Sequence, residues 1–241
     1  MNKKNISQLE LGIVPRLAYR ADNFVLGQEM QNKVNGIISA ITNKIAAVFY
    51  IVGKMRSGKT HLSVYLAEIL ALERHNPFLL EGEHFQEFIF ARITKENISD
   101  KDVFIIDNAE NYFCRFRKSD DRNFNSSNFV AFYEIIRNKG ASIILLSERL
   151  PDNLPCDEHI LSRLKSGISF TINDPDENVF DDIIRALTLQ RGLKLSPQKI
   201  EYLKKRLPRE IAKIERYLNR VAKIISIRNE KLNFALLSDA R

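Results

Sequence analysis

Short apolar runs recur along the first 172 residues, and polar or glycine-containing segments separate them. Five of these runs are rich in β-branched and aromatic residues, and they predict buried strands over 46–52, 77–82, 102–107, 141–147 and 167–172. Between most of them, apolar residues recur every three or four positions, as in 60–74 and 83–93, which predicts helices. Strands that alternate with helices are typical of an α/β fold in which helices cover both faces of a parallel sheet.

The pattern changes after Pro175, where helical segments follow one another without a strand between them. They span 176–192, 196–207 and 209–228. In the last segment, apolar residues step by three and four along one stripe, and basic residues form the opposite stripe: Arg209, Lys213, Arg216, Arg220 and Lys223. We therefore predict a small all-α domain that follows the α/β core.

These patterns divide the chain into three parts. We expect a flexible N-terminal segment over 1–19, the α/β core over 20–174 and the helical domain over 175–241. Residues 114–128 are polar and irregular, which predicts an exposed loop within the core. Apolar residues make up 44% of the chain, which is enough to bury a sizeable core in one or two domains.

The composition argues against several classes of protein. No apolar run approaches the roughly 20 residues that a membrane helix needs, so no membrane association is expected. The first five residues are polar and no apolar segment follows them, so a signal peptide is not expected either. Cys114 and Cys156 lack the spacing of metal ligands, and reduced thiols in the cytoplasm are the preferred interpretation.

Positive charge is concentrated in the helical region. The chain has a net charge of +7, and residues 185–231 hold 14 Lys and Arg against four Asp and Glu. The preferred interpretation is a solvated helical face. The alternative is a patch that binds nucleic acid or an acidic protein surface.

One motif points directly to chemistry. Residues 53–60, "GKMRSGKT", fit G-x-x-x-x-G-K-[ST] and lie between a predicted strand and a predicted helix, the context of a P-loop. In such a loop the glycines turn backbone N–H groups toward phosphate oxygens, and the helix N-terminus adds a positive dipole. Lys59 is expected to reach the β- and γ-phosphates. The predicted phosphate-binding residues are Gly53, Arg56, Ser57, Gly58, Lys59, Thr60 and the adjoining His61.

A second motif, "VFIIDNAEN" over 103–111, supplies the matching acid. Asp107 ends an apolar strand, where it is expected to hold Mg²⁺ through water together with the Thr60 hydroxyl. Hydrolytic P-loop proteins commonly place an acidic residue directly after this Asp, but here Asn108 follows, and an amide cannot act as a base. The sequence thus favours nucleotide binding with weak hydrolysis by the chain itself.

Five motifs then follow in an order that resembles the AAA+ core of the DnaA/Hda family of bacterial replication proteins. They are "GKMRSGKTHL", "IIDNAEN", "LLSERLP" (145–151), "LSRLKSG" (161–167) and "LPREIAKIERYL" (207–218). The resemblance runs from about residue 20 onward. The initiator DnaA carries a helix-turn-helix DNA-binding domain after this core, whereas we expect none here. The chain therefore looks most like the short Hda-type regulators of the family.

The resemblance implies roles for further residues. Glu148 falls at the sensor-1 position, where the family usually has Asp. Arg163 falls at the arginine-finger position, which acts on nucleotide bound by a neighbouring subunit, and Arg209 at the sensor-2 position. Phe24 and Val25 resemble the segment that packs on the base. Each of the three charged residues has a simpler alternative: a helix cap for Glu148, a surface arginine for Arg163 and a salt bridge within the lid for Arg209.

Residues 8–13, "QLELGI", raise a separate hypothesis. Hda-like proteins carry an N-terminal peptide of the form Gln-Leu-x-Leu that binds the sliding clamp of the replicase. Gln8, Leu9 and Leu11 match it, and Ile13 extends the apolar set. The alternative is a short edge strand or a brace on the core.

The resemblance implies a regulatory module that binds ADP or ATP with Mg²⁺. With the sliding clamp, such a module promotes ATP hydrolysis by the initiator DnaA and prevents re-initiation. An alternative is a helicase-loader-like AAA+ ATPase that acts on DNA, and another is a self-standing ATPase. A weak contact with DNA and assembly into a homo-oligomer are further alternatives for its partners. We expect a cytoplasmic location.

Overall fold

Five parallel strands form a single sheet at the centre of the core. The computed structural model describes residues 19–95, 98–114 and 126–240. The strands are β1 (Val48–Gly53), β2 (Asn76–Glu81), β3 (Asp102–Asp107), β4 (Ser142–Ser147) and β5 (Ile168–Ile172). This arrangement confirms the predicted α/β fold with a five-stranded parallel sheet, and the apolar runs locate every strand to within two residues.

The helices alternate with the strands and then continue beyond them. In chain order they are α1 (Gln28–Thr42), α2 (Lys59–Leu72), α3 (Phe85–Lys95), α4 (Glu110–Cys114), α5 (Ser126–Lys139), α6 (Glu158–Lys165), α7 (Glu177–Leu189), α8 (Pro197–Lys204), α9 (Ile211–Arg228) and α10 (Phe234–Asp239). Within the described residues, no helix is long and apolar enough to cross a lipid bilayer.

The strand order places β1 between two strands that come later in the chain. The order is β2-β3-β4-β1-β5, and every neighbouring pair is parallel. After β1 the chain therefore crosses to β2 at the far edge of the sheet. It then forms β3 and β4, which reach one side of β1, and finally β5 on the other side. Ligands of open α/β sheets bind beyond the carboxyl ends of the strands where the order reverses, which here is the end of β1.

Side chains from alternate positions of β1 supply two separate hydrophobic cores. Val48 and Tyr50 pack with residues of α3, α5 and α6 on one face of the sheet. Phe49 and Ile51 pack with residues of α1 and α2 on the other. Because both faces are covered, the strands of the sheet centre are apolar at nearly every position, which is why their runs are continuous in the sequence.

The helices α7 to α10 build a third core of their own. Phe180 of α7, Ile200 of α8, Leu218 of α9 and Leu237 of α10 are all buried in it. The apolar stripe predicted along α9 packs in this core except for Ile211, and the basic stripe is exposed. Helix α9 begins at Ile211 rather than at the predicted residue 209, since Glu210 takes extended backbone angles at its N-cap.

The loop predicted over 114–128 is helical at both of its ends. Cys114 belongs to α4, and α5 begins at Ser126. Residues 115–125 lie outside the described residues. Both cysteines are free thiols, and burial raises the pKa of Cys156 to about 12, so this thiol stays protonated at neutral pH.

Gly167, directly before β5, lies very close to the backbone of β1. Substitution of this glycine therefore tests how closely β5 packs on β1. A Cβ atom at this position would lie 2.3 Å from the carbonyl oxygen of Val48. We expect Gly167→Ala to lower the free energy of unfolding by about 1–3 kcal/mol, since backbone must move to relieve the overlap. Urea unfolding followed by circular dichroism measures the change.

Gly36 provides the matched control. It lies on the exposed face of α1, where an added Cβ atom would meet nothing within 4 Å. Gly36→Ala should stabilise the protein by about 0.5–1 kcal/mol, because alanine favours the helix. Equal stability of Gly167→Ala and wild type would contradict the close packing of β5 on β1.

Candidate functional site

Two glycines shape the loop between β1 and α2. The first position has no room for a side chain, and the second has a backbone conformation that favours glycine. An added Cβ atom at Gly53 would lie 2.4 Å from the Ser57 hydroxyl oxygen. Gly58 is the N-cap of α2 and has a φ of 96°, in the left-handed region that favours glycine. The loop therefore curls tightly over the N-terminus of α2, where unpaired N–H groups and the helix dipole attract an anion.

Lys59 is held inside this loop. Its side chain is only 5% exposed, and Nζ donates to the carbonyl oxygens of Gly53 at 2.9 Å and Lys54 at 3.0 Å. The Glu148 carboxylate, directly after β4, lies 3.4 Å from the same nitrogen. The structure thus brings the predicted sensor-1 residue into contact with the P-loop lysine.

Thr60 and Asp107 meet beside this lysine. The Thr60 hydroxyl donates to the Asp107 carboxylate at 2.6 Å, although the two residues are 47 positions apart in the chain. Asp107 is buried at the end of β3, and burial is the main cause that raises its pKa, while the hydrogen bond from Thr60 opposes the shift. Such a partly desolvated carboxylate gains stability when a cation approaches it.

The pair fits a magnesium ion that is shared with a phosphate. Mg²⁺ usually takes one or two protein oxygen ligands and completes its shell with water and phosphate oxygens. Thr60 and Asp107 offer this sparse set. Within the described ranges, no cluster of three or more His, Cys, Asp or Glu forms a closed metal site.

Ser57 carries a polar atom that fits an anion. Among the described residues, its buried hydroxyl oxygen has no hydrogen-bond partner. A buried polar group without a partner is costly, and a hydroxyl can donate to a phosphate oxygen. Ser57 thus offers a hydroxyl donor one residue before Gly58, the N-cap of α2.

A cavity of about 280 Å³ opens from the P-loop and reaches the helical domain. The segment predicted to pack on a base and the P-loop itself both contribute to its walls. The lining residues are Tyr19, Asn23, Phe24, Val25, Met55, Arg56, Gly58, Lys59, Thr60, His61, Asn108, Glu148, Ile183, Ala186, Leu187, Gln190, Ile211 and Glu215.

Three aromatic rings form one wall of this cavity. The ring of Phe24 lies 4.6 Å from that of His61, and Tyr19 approaches His61 edge-on at 5.4 Å between centroids. His61 Nε2 hydrogen-bonds with the carbonyl oxygen of Arg20 at 2.8 Å, and burial lowers the pKa of this histidine. The wall is therefore aromatic and uncharged at neutral pH, which suits a heterocyclic base.

The helical domain adds an acidic residue that the sequence did not reveal. Glu215 of α9 is 15% exposed, 3.9 Å from the Arg56 guanidinium and 3.6 Å from that of Arg191. It follows Ile211 by four positions, so both side chains lie on the face of α9 that looks into the cavity. The sequence signal that could have indicated it is that Glu215 is the one acidic residue of the otherwise basic helix α9.

Two predicted arginines lie outside the lining of this cavity. Arg209 precedes α9 and donates to Glu177 at 2.8 Å. Arg163, on α6, donates to the Glu134 carboxylate through Nε at 3.1 Å and through a terminal nitrogen at 2.7 Å. Gln8, Leu9, Leu11 and Ile13 lie outside the described residues.

No protein-family profile matches the chain. Among curated proteins, it is similar to the chromosomal replication initiator protein DnaA. The identity is 24% over 235 residues with that of Lactobacillus helveticus and 26% over 235 residues with that of Lactiplantibacillus plantarum, covering 92% of this chain in both cases. The chain spans about half the length of these relatives, 50% in each.

Solved structures show the same fold. Domain III of the Thermotoga maritima replication initiation protein DnaA superposes with a TM-score of 0.71 at 13% identity, covering 92% of this chain and 95% of that one. AMPPCP-bound DnaA from Aquifex aeolicus gives 0.62 at 20% identity, covering 87% and 65%. The Thermotoga maritima RuvB Holliday junction branch migration motor gives 0.62 at 18%, covering 93% and 71%. Together, the comparisons show that the chain is similar in sequence to DnaA and shares the fold of DnaA domain III.

The position of Lys59 generates a first prediction for the site. Lys59→Ala should weaken ADP binding by about 100-fold or more, since it removes the ammonium that is expected to reach the phosphates. Isothermal titration calorimetry with ADP and Mg²⁺ measures the affinity. Lys101→Ala, at the opposite end of the sheet, is the control, and unchanged affinity in Lys59→Ala would contradict the P-loop assignment.

The raised pKa of Asp107 generates a prediction on stability. The ionised carboxylate is less stable in the fold than in the unfolded chain, so Asp107→Asn should raise the melting temperature at pH 7. The gain should shrink as the pH falls toward the ordinary carboxyl pKa, because both states then hold a protonated Asp. The same variant should lose the dependence of ADP affinity on Mg²⁺.

Asp100 is the control with the opposite sign. It is exposed, and the hydrogen bond from Lys44 lowers its pKa, so the ionised form is the more stable one in the fold. Asp100→Asn should therefore not raise the melting temperature at pH 7. Scanning calorimetry between pH 4 and 8 compares the variants, and an unchanged or lower melting temperature of Asp107→Asn at pH 7 would contradict the account.

Proposed function

We propose that this chain is a DnaA-like AAA+ protein that binds an adenine nucleotide with Mg²⁺ and acts in the control of replication initiation. The observation that carries the proposal is that Lys59, Thr60 and an aromatic wall line one cavity, while Thr60 is hydrogen-bonded to Asp107. The loop would bind the phosphates, Thr60 and Asp107 would bind the magnesium ion, and the aromatic wall would contact the base. Aquifex aeolicus DnaA, a structural neighbour, binds AMPPCP, which supports an adenine nucleotide.

Within this group, we propose an Hda-type regulator that promotes ATP hydrolysis by the initiator DnaA. Two features support the proposal. Asn108 follows the magnesium-binding acid, which favours slow hydrolysis by the chain itself. Arg163 lies on α6 outside the lining of the chain's own cavity, as expected of an arginine that serves a neighbour's nucleotide. A cytoplasmic location follows from this role.

Glu148 and Arg209 are proposed as the residues that respond to the nucleotide. Glu148 already contacts Lys59. Arg209 would have to exchange Glu177 for a phosphate. The side chains of Arg209 and Glu177 are 50% and 64% exposed, and exposed ion pairs contribute only about 0–1 kcal/mol, so this exchange costs little.

Arg163 provides the test of the regulatory role. We expect Arg163→Ala to bind ADP like the wild type but to lose stimulation of ATP hydrolysis by purified DnaA. An arginine finger supplied by a partner is worth on the order of 10³–10⁵ in rate, so the loss should be nearly complete. The measurement is phosphate release from ATP-bound DnaA in the presence of DNA-loaded clamp.

Lys165→Ala is the control for this experiment. Lys165 lies on the same helix two residues later and pairs with Asp152. If both variants stimulate DnaA as well as the wild type does, Arg163 is not the finger. If the wild type itself fails to stimulate, the regulatory role is wrong, although nucleotide binding is unaffected by that result.

The peptide over residues 8–13 is proposed to tether the protein to the sliding clamp. An extended peptide with a Gln amide and aliphatic anchors suits an apolar pocket on a partner. We expect Gln8→Ala combined with Leu11→Ala to lose binding to purified clamp in surface plasmon resonance, while its ADP affinity stays unchanged. Retention of full clamp binding would leave the peptide as a brace on the core.

A second candidate function rests on the outward face of α9. Lys213, Arg216, Arg220 and Lys223 are exposed there at helical spacing. This face would suit the phosphates of DNA in a helicase-loader-like ATPase. Binding of single-stranded DNA that weakens steeply with salt, lost in Arg216→Glu with Arg220→Glu, would favour this function over the regulatory one.

A further inference from the structure

A second cavity opens at the amino ends of β1, β4 and β5, and we call it the amino-end cavity. Its volume is about 350 Å³, within the range of small-molecule sites, which is about 300–1,000 Å³. Val48 begins β1 and Gly53 ends it, so the length of a six-residue strand, about 17 Å, separates this cavity from the P-loop. The lining residues that matter for its chemistry are Lys44, Ala46, Ala47, Tyr133, Arg137 and Gly167.

Three backbone N–H groups in this lining lack an acceptor. Ala46 and Ala47 directly precede β1, and Gly167 directly precedes β5, so all three stand just outside the strand ladders. Within the part of the chain that the structure describes, none of the three N–H groups donates a hydrogen bond to the protein. The three residues are partly buried, and a partly buried N–H without an acceptor favours a ligand that supplies one.

Arg137 brings positive charge to the same cavity. It is exposed on α5, and no described residue forms an ion pair or a hydrogen bond with its guanidinium. A basic residue in the last turn of a helix often serves the helix C-terminus. Here Ala141 N donates to the Ile136 carbonyl oxygen at 3.0 Å. Gly140 N donates to that of Arg137 at 3.3 Å, so the chain already satisfies these carbonyl groups. The planar fork of Arg137 is therefore available to an anion.

Lys44 forms another wall of the cavity, but its charge is balanced. Its side chain lies over Gly140, where an added Cβ atom would be 3.3 Å from the Lys44 Cδ atom. Its Nζ atom pairs with the Asp100 carboxylate at 2.8 Å. Since Lys44 and Asp100 offset each other, Arg137 sets the sign of the charge in the cavity, and that sign is positive.

A pair of hydroxyl groups adds an acceptor. Tyr133 and Ser166 both line the cavity, and their hydroxyl oxygens lie 3.2 Å apart. Ser166 Oγ donates its proton to the carbonyl oxygen of Arg163 at 2.8 Å. Tyr133 must then be the donor in the contact between the two hydroxyls, which leaves its oxygen able to accept from a ligand. The amino-end cavity thus combines donors for an anion with an acceptor for a hydroxyl group.

We propose that the amino-end cavity binds a small phosphate ester that carries a hydroxyl group. The Arg137 guanidinium would bind the phosphate, and the Tyr133 oxygen would accept from the hydroxyl. The phosphate would also accept from the N–H groups of Ala46, Ala47 and Gly167. A phosphate ester presents three acceptor oxygens and up to two negative charges, so it engages more of these donors than a carboxylate can. The site is independent of the P-loop and of the nucleotide proposed there.

Calorimetric titration of the full-length protein tests the proposal. ADP and Mg²⁺ are kept in excess so that the P-loop is filled, and the ionic strength is held constant. Glycerol phosphate should bind with a Kd of about 1 mM or lower. Glycerate, in which a carboxylate replaces the phosphate, should bind much more weakly. No saturable binding of glycerol phosphate, or binding of glycerate with the same affinity, would overturn the proposal.

Two variants on α5 remove the same charge at different positions. Arg137→Gln should weaken the binding of glycerol phosphate by about tenfold or more, because charge-assisted hydrogen bonds to the phosphate are lost. Lys139→Gln is the control, since Lys139 is exposed two residues later and lies outside the lining. It should change the affinity by less than about twofold, since salt screens exposed charges. Equal weakening by both variants would indicate unspecific attraction of anions, and the proposal would then be wrong.

Tyr133→Phe tests the contact with the hydroxyl group. Methyl phosphate lacks that hydroxyl and should bind to the wild type more weakly than glycerol phosphate does. The variant should lower the affinity for glycerol phosphate to that for methyl phosphate and leave the binding of methyl phosphate unchanged. A wild type that binds both probes equally well would contradict the contact.

Nuclear magnetic resonance locates the bound probe. Glycerol phosphate should shift the amide resonances of Ala46, Ala47 and Gly167, whereas those of Ser57 and Lys59 should stay in place because ADP fills the P-loop. Shifts confined to Ser57 and Lys59 would place the probe at the P-loop and would rule out the amino-end cavity. Because each resonance reports on one residue, a failure of ADP to bind would be seen separately at the P-loop.

Discussion

The parallel direction of all five strands is the constraint on which the site depends. Parallel pairing brings every carboxyl end to the same edge of the sheet, and the strand order sets which ends are neighbours. Gly53 ends β1, Asp107 ends β3 and the chain after β4 carries Glu148, so the three motifs meet although long segments separate them. The Thr60–Asp107 hydrogen bond is the direct result, since it joins the first turn of α2 to the end of β3.

The helical domain completes the site through charge as well as shape. The Glu215 carboxylate lies within ion-pair distance of both Arg56 of the P-loop and Arg191 of the helical domain. Burial lowers the pKa of Arg191, and the carboxylate of Glu215 opposes that shift. A bound polyphosphate would compete with Glu215 for Arg56.

Local pattern was sufficient to predict the strands and the P-loop, because each depends on residues close together in the sequence. A buried parallel strand is apolar at nearly every position, and a P-loop is a single eight-residue motif. Contacts between distant segments were not predictable in this way. Nothing in the sequence near Asn108 indicates its hydrogen bond to Glu81, since the pairing follows from the register of β2 on β3. Likewise, the contact of Glu215 with Arg56 depends on how α9 packs over the loop.

The central claim is that the cavity above the P-loop holds an adenine nucleotide, and the nucleotide content of the purified protein tests it most directly. The protein would be denatured, and the released nucleotide identified by chromatography and mass spectrometry. The account predicts close to one adenine nucleotide per chain, since the buried lysine and the tightly curled loop favour its retention. A chain that is free of nucleotide after purification, and that takes up no ADP when it is supplied with Mg²⁺, would contradict the account.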